Sequence, residues 1–444
     1  MKNEVLRIKC YGMDEEGKGL ARVRGQEIHI PGLLAGDTAL VEISRSRQLI
    51  NAKVVRIEEP AEFRVKPRCT HFEKCGGCQL QHMSYQGQVE FKQKLVEKLL
   101  GQYHRVNGIM VMKEPYFYRN KVHSALAYDK NRNIISGIYE KNTHNVIAIK
   151  QCIIQDRHAD AIIQSIRELM RSFRLEPYNE DTGHGFLRHI LVKTGFASKQ
   201  VMVVIVAAVP VFPSKNNFVK ALLNIHPEIT TVVMNINSRK TSAILGDSEK
   251  ILYGKGYIED TLCGHVFQIS PKSFYQINPV QTEELYSKAI EMAGLRGNEE
   301  VLDAYCGIGT ISLIVSDRVK KVIGVELNKD AIRDAIRNAK VNNIRNVYFY
   351  SDDAGRFMTR LARDKQHIDV VFMDPPRSGS DESFLTSLLK LSPSKIVYIS
   401  CNPETQKRDI EILMKGGYKV EEVQPVDMFP HTVHTECCCL LERV

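Results

Sequence analysis

No stretch of this chain stays apolar over the length that a membrane crossing requires, and Met1-Lys2-Asn3-Glu4 opens no secretory leader. A cytoplasmic protein without a membrane partner is therefore expected. In that reducing compartment its 11 cysteines read as metal ligands, catalytic groups or core, not as disulfides. Low-complexity tracts and internal repeats are also missing, which leaves ordinary globular domains. A chain of 444 residues, 43% of them hydrophobic, is long enough for two or three such domains with real cores. Its formal net charge of +9 favours a polyanionic partner such as nucleic acid.

Three regions differ in rhythm. Residues 1–58 hold five short apolar runs, Val5–Ile8, Gly19–Val23, Glu27–Ile30, Thr38–Ile43 and Ala52–Ile57, punctuated by Gly12, Gly17, Gly25, Pro31-Gly32 and Gly36-Asp37. Five short strands with glycine turns predict an OB-like β-barrel, and Arg22, Arg24, Arg45 and Arg47 among them suit RNA binding. Residues 59–270 mix a helical stretch near Val89–Leu100 with extended runs such as Gln200–Val206, which predicts an α+β unit. Residues 271–444 alternate strand and helix. The continuous apolar runs at Val301-Leu302, Val322–Val325, Val347–Tyr350, Val370–Met373 and Ile396–Ile399 predict parallel strands covered on both faces, hence a doubly wound Rossmann-like α/β domain. The chemical candidates sit just after these runs, where open α/β sheets bind ligands.

Asp303-Ala304-Tyr305-Cys306-Gly307-Ile308-Gly309-Thr310 couples a strand to a glycine turn and a helix, and Glu326 ends the next strand 23 residues after Asp303. An acidic side chain there can hold a ribose diol. The turn lacks the third glycine of the dinucleotide fingerprint, and Asp303 would repel a pyrophosphate. S-adenosylmethionine, with a cationic sulfonium and an adenosyl group, fits this site better than a nicotinamide cofactor. Tyr305 is placed to pack on the donor or simply to fill space, and Asp352 or Asp353 follows the third strand within reach of an adenine. Asp374-Pro375-Pro376-Arg377 makes a rigid turn after the fourth strand that can aim the Asp374 carboxylate at a base edge.

Ser400-Cys401-Asn402-Pro403 follows the fifth strand, and Glu436 comes 35 residues after Cys401. A thiol and a carboxylate at strand ends suit attack on a pyrimidine ring. The C5 carbon of uracil is a weak nucleophile; a thiolate added at C6 turns the ring into an enolate and activates C5. Once C5 carries a methyl group, a base must remove its proton so that the thiol can leave. Cys401 suits the first role and Glu436 the second. Cys437, Cys438 and Cys439 read as filler on a final strand, and Cys306 as a packing residue.

Cys69, Cys75 and Cys78, with Gly76 and Gly77 between them, and Cys152 further on supply four thiolates, which suit tetrahedral zinc or a [4Fe–4S] cluster. The spacing does not separate the two. It does lack the Cys-x3-Cys-x2-Cys pattern of radical enzymes, so a structural or RNA-positioning cluster is expected. Arg119 and Lys121 in Tyr118-Arg119-Asn120-Lys121 are positioned either to touch phosphate or to form a solvated face.

Together these motifs, with Ser273-Phe274-Tyr275-Gln276-Ile277-Asn278 and His434-Thr435-Glu436, resemble the RNA uridine-5 methyltransferases over nearly the whole chain. The resemblance implies that the N-terminal barrel is of the TRAM type, that Cys401 is the nucleophile and Glu436 the C5 base, and that Gln276, Tyr305, Glu326 and Asp374 hold the donor or the uracil. It also implies a [4Fe–4S] cluster at Cys69, Cys75, Cys78 and Cys152 instead of zinc. Members acting on 23S ribosomal RNA commonly carry both barrel and cluster, whereas transfer-RNA members usually lack them, so 23S ribosomal RNA is the expected partner. Two other readings stay open: methylation of transfer RNA or of cytosine, and a non-catalytic RNA-binding assembly factor.

Overall fold

The computed structural model describes residues 3–45, 50–141, 143–239 and 243–444; Arg47 lies outside them, as does the side chain of Arg45. The five N-terminal apolar runs all become strands. Asn3–Lys9, Thr38–Arg45 and Ile50–Glu59 form one antiparallel sheet, and Gly12–Met13, Gly19–Val23 and Gln26–Ile30 a second. Alternation along Gly19–Val23 sends Ala21 and Val23 inward, where they meet Ile8, Ile30, Val41 and Ile43 in one small core, and leaves Arg22 and Arg24 outside. Asp37 closes this unit onto the next. Its buried carboxylate accepts Leu34 N at 2.6 Å, Ala61 N at 2.9 Å and Arg64 Nε at 2.8 Å.

The middle region is built on a seven-stranded sheet in the order Ser248–Tyr253, Ile229–Ile236, Val201–Ala207, Leu187–Thr194, Lys121–Tyr128, Ile134–Tyr139, Val146–Ala148. Neighbours are antiparallel except Val201–Ala207 and Ile229–Ile236. Helices Arg157–Ser172 and Lys215–Ile225 cover one face. Leu191, Met202, Val204, Val206 and Val233 on the other face share a core with Tyr275, Leu285, Ile311 and Val370 of the C-terminal region. The helix expected near Val89 begins earlier and spans Tyr85–Leu100, with Ser84 capping Gly87 N at 3.3 Å. Gly87 obscures that first turn in the sequence. It is there because a Cβ would lie 2.7 Å from Phe63 and 2.8 Å from Met83.

The C-terminal sheet runs Val347–Ser351, Lys321–Glu326, Glu300–Ala304, Val370–Met373, Lys395–Ser400, Glu436–Arg443, Tyr418–Val426. The first five strands are parallel, as the apolar runs predict, and Glu436–Arg443 inserts antiparallel beside Lys395–Ser400. Cys437 and Cys439 point into one core and Cys438 into the other, so these three thiols are the strand filler expected. Val96 and Leu100 of the helix Tyr85–Leu100 lie in the same core as Cys437 and Cys439. No helix among the described residues is long and apolar enough to cross a membrane.

Candidate active site

The strand Glu300–Ala304 ends in a tight turn: Tyr305 takes φ +68°, Gly307 +55° and Gly309 +81° before the helix Thr310–Ser316. Gly309 is required for space as well as conformation, since a Cβ would sit 2.8 Å from the Phe349 ring. A Cβ on Gly307 meets nothing within 4 Å, so that side of the turn is free to receive a ligand. Asp303 braces the turn through Ser312, accepting its N at 2.8 Å and its Oγ at 2.5 Å. Burial pushes the Asp303 carboxyl up to about 7, against the pull of Ser312. Glu326, ending the next strand, accepts Gly307 N at 3.3 Å and Asn328 N at 2.8 Å, which fixes its carboxylate beside the glycine turn. Tyr305 lies against Phe384 with ring centroids 5.0 Å apart.

Asp374 and Arg377 follow Val370–Met373, and the Arg377 carbonyl accepts Asn402 Nδ2 and Thr405 Oγ1 at 3.2 Å each. The Asp-Pro-Pro-Arg turn is thereby tied to the turn carrying Cys401, and Asn402 also caps the helix Pro403–Lys415 at Glu404 N. Glu436 is the first residue of its strand and is buried. Gln276 is held from the middle region: Asn120 Nδ2 donates to its carbonyl at 3.0 Å, and buried Lys193 Nζ donates to the carbonyls of Ser270 and Ser273 at 2.8 Å.

All six residues expected to act on donor or base, Gln276, Tyr305, Glu326, Asp374, Cys401 and Glu436, border one cleft of about 670 Å³. They come from five separate strand ends and one loop. Asp352 and Asp353 border it too, although Asp352 pairs with Arg360 and Arg356 while Asp353 caps Arg356 N at 2.9 Å. Burial raises the Cys401 thiol to about 11, with Glu436 and Asp374 adding to the effect and Arg377 opposing it. Burial also lifts Asp374 to about 7, and burial with the Asp374 charge holds Glu436 well above the ordinary carboxylate range. The cleft thus pairs a protonated thiol with two carboxyls that burial holds above the ordinary carboxylate range.

A family model described as tRNA (Uracil-5-)-methyltransferase matches residues 84–444. The chain belongs to this family. An uncharacterized RNA methyltransferase of Clostridium tetani is 40% identical over 445 residues, spanning 99% of this chain and 96% of that protein. A Bacillus cereus protein of the same description is 37% identical over 452 residues, spanning 100% and 97%. The crystal structure of Pyrococcus abyssi tRNA (uracil-54, C5)-methyltransferase in complex with S-adenosyl-L-homocysteine superposes with a TM-score of 0.81 at 28% identity, covering 98% of this chain and 100% of that one. This protein is therefore an S-adenosylmethionine-dependent RNA methyltransferase, and an open glycine turn beside Glu326 suits that donor. The match to that structure takes in the N-terminal β unit as well as the C-terminal sheet.

In this RNA methyltransferase the four cysteines of the expected cluster do share one neighbourhood, since each of Cys75, Cys78 and Cys152 feels the charge of Cys69. His71 N donates to Cys69 Sγ and Gly77 N to Cys75 Sγ, both at 3.4 Å. Burial pushes the Cys78 thiol up to about 12 and the Cys152 thiol up to about 11. Among the described residues no group of three or more His, Cys, Asp or Glu side chains able to hold a metal ion is found. Cys78 and Cys152 are half-buried and lie against Met112, Tyr118 and Ile154. Lys121 is half-buried, and burial lowers its pKa. Sequence reasoning missed Asn120 and Lys193, whose work is done on carbonyls far along the chain. A lysine directly after the apolar run Ile190–Val192 was the available signal for the second.

Proposed function

We propose that this methyltransferase acts on C5 of a uridine, with Cys401 as nucleophile and Glu436 as the base for the C5 proton. The observation that carries the reading is the convergence of thiol, paired carboxyls and donor-site residues on one cleft. Cys401 Sγ bonds to C6 and the ring electrons move to the C4 oxygen; the thiol proton leaves to Asp374 or to water. Bound in the same cleft, S-adenosylmethionine supplies the electrophilic methyl group to C5, with Gln276, Tyr305, Glu326 and Asp374 holding donor and base. Glu436, ionised, then takes the C5 proton, the C6–S bond breaks, and the thiolate is released. The target base must leave its stack to reach Cys401.

The proposed substrate is 23S ribosomal RNA, the partner implied by the resemblance. The near-complete match to a transfer-RNA enzyme supports transfer RNA as a second reading. Mass spectrometry of both RNAs from a deletion strain separates them: loss of 5-methyluridine from ribosomal fragments supports the first, and loss from transfer RNA alone supports the second. The chemistry is tested independently. Cys401→Ala should abolish methylation and form no covalent RNA adduct, a loss of about 10⁴-fold or more, whereas Glu436→Gln should still form the adduct and release it slowly. Full activity in Cys401→Ala would end the proposal. A [4Fe–4S] cluster at Cys69, Cys75, Cys78 and Cys152 is proposed from the resemblance and from the donor chemistry of four neighbouring thiols; about four irons per chain after anaerobic purification would support it, and an iron-free protein would discard it.

A further inference from the structure

The loop that carries the proposed base is held in place from the middle region by a buried charge. Lys92 lies on the inward stripe Gln88, Lys92, Val96, Leu100 of the helix Tyr85–Leu100. Its ammonium donates to Asp427 Oδ1 at 2.5 Å and to the Phe429 carbonyl at 3.0 Å, and both charged side chains are 0% exposed. Tyr85 Oη completes the group, donating to Asp427 Oδ2 at 2.8 Å while accepting Met112 N at 2.8 Å. Asp427 directly follows Val426, the residue paired with Glu436 across the strands Tyr418–Val426 and Glu436–Arg443. Phe429 borders the cleft beside Cys401 and Glu436. The rest of the loop is fastened from the same side: Gln88 Oε1 accepts His431 N at 2.8 Å, Gln79 N and Leu80 N donate to the His431 carbonyl at 3.1 and 3.0 Å, and Tyr118 Oη donates to the Pro430 carbonyl at 3.0 Å.

A buried ion pair is a poor way to gain stability, because desolvation offsets the attraction, and well-packed apolar replacements often do as well. Its geometry is another matter. An ammonium with two fixed acceptors, one a carboxylate and one a backbone carbonyl two residues on, sets the path of the chain where it leaves the strand opposite Glu436. We infer that Lys92, through Asp427 and Phe429, is a positioning residue for the Glu436 carboxylate. This rests on Glu436 being the C5 base. Lys92 touches neither RNA nor donor and acts only on the step that follows methyl transfer, when the C5 proton must leave.

The test separates that step from those before it. In single turnover, the wild-type enzyme, its Lys92→Met variant and the double variant Lys92→Met/Asp427→Asn are mixed with RNA and methyl-labelled S-adenosylmethionine. The denaturant-stable protein–RNA adduct and the released methylated RNA are followed with time. The double variant leaves no unpaired buried charge, so it guards against simple unfolding of the single one. The expected result in the folded variant is adduct formation within about two-fold of wild type and release slowed about ten-fold or more, with labelled adduct accumulating. Equal slowing of both steps, no slowing of either, or failure of the double variant to fold would each overturn the positioning role and leave the pair as scaffold. A wild-type enzyme that forms no Cys401-dependent adduct would instead remove the proposed chemistry itself.

Discussion

Cys401 keeps its proton at neutral pH because burial, Glu436 and Asp374 all disfavour its thiolate. Carbon–sulfur bond formation is therefore tied to proton loss, and the nearest acceptors are carboxyls that burial has already lifted. The sign follows from that direction. A carboxyl with a raised pKa is protonated and useless as a base below it, so turnover should be lost as pH falls through about 7, the value for Asp374. A pH profile of single-turnover methylation should rise between about pH 6 and about pH 8, and Asp374→Asn should displace its acidic limb. A profile flat across that range would show that neither carboxyl carries the proton. Arg377, which borders the cleft, opposes the rise at both Cys401 and Glu436.

The glycine turn shows how one element sets both fold and binding. Gly309 combines φ +81° with a neighbour 2.8 Å from where a Cβ would stand, so Gly309→Ala should cost about 2 kcal/mol, read as a lower urea midpoint with unchanged slope. A midpoint equal to wild type would mean that Phe349 moves aside freely. This turn was legible in the sequence, as were the five parallel strands, because strands buried on both faces need no polar alternation. That Cys401 and Glu436 would border one cleft was legible because a thiol after a buried strand and a carboxylate opening the last one are both unusual there. The rest was hidden by distance along the chain. Asn120 serves a carbonyl at Gln276, and Lys92 serves Asp427 and Phe429, and neither pairing leaves a local pattern. The cysteine spacing suggests a ligand set, and no group of three or more metal-binding side chains is found among the described residues.

Across the molecule, neighbouring regions are fastened by shared groups: Asp37 with Arg64 between the N-terminal sheets and the middle region, and a common apolar core between the middle sheet and the C-terminal one. A formal charge of +9 on this body implies that RNA is first gathered by its phosphates. With about four phosphate contacts, RNA affinity should fall about a hundred-fold between about 50 and about 200 mM salt; a salt-independent affinity, measured by filter binding, would leave the charge without a function. The placing of Glu436–Arg443 between Lys395–Ser400 and Tyr418–Val426 also bears on how the molecule is made. That strand follows both of its neighbours in sequence. While the chain is being synthesised, Lys395–Ser400 is an open sheet edge and Tyr418–Val426 has no strand to join. During that interval Cys401 already stands at its strand end without Glu436 opposite it. The nascent chain thus lacks its proposed base until the sheet is completed, and the strand that seals the fold also delivers that carboxylate.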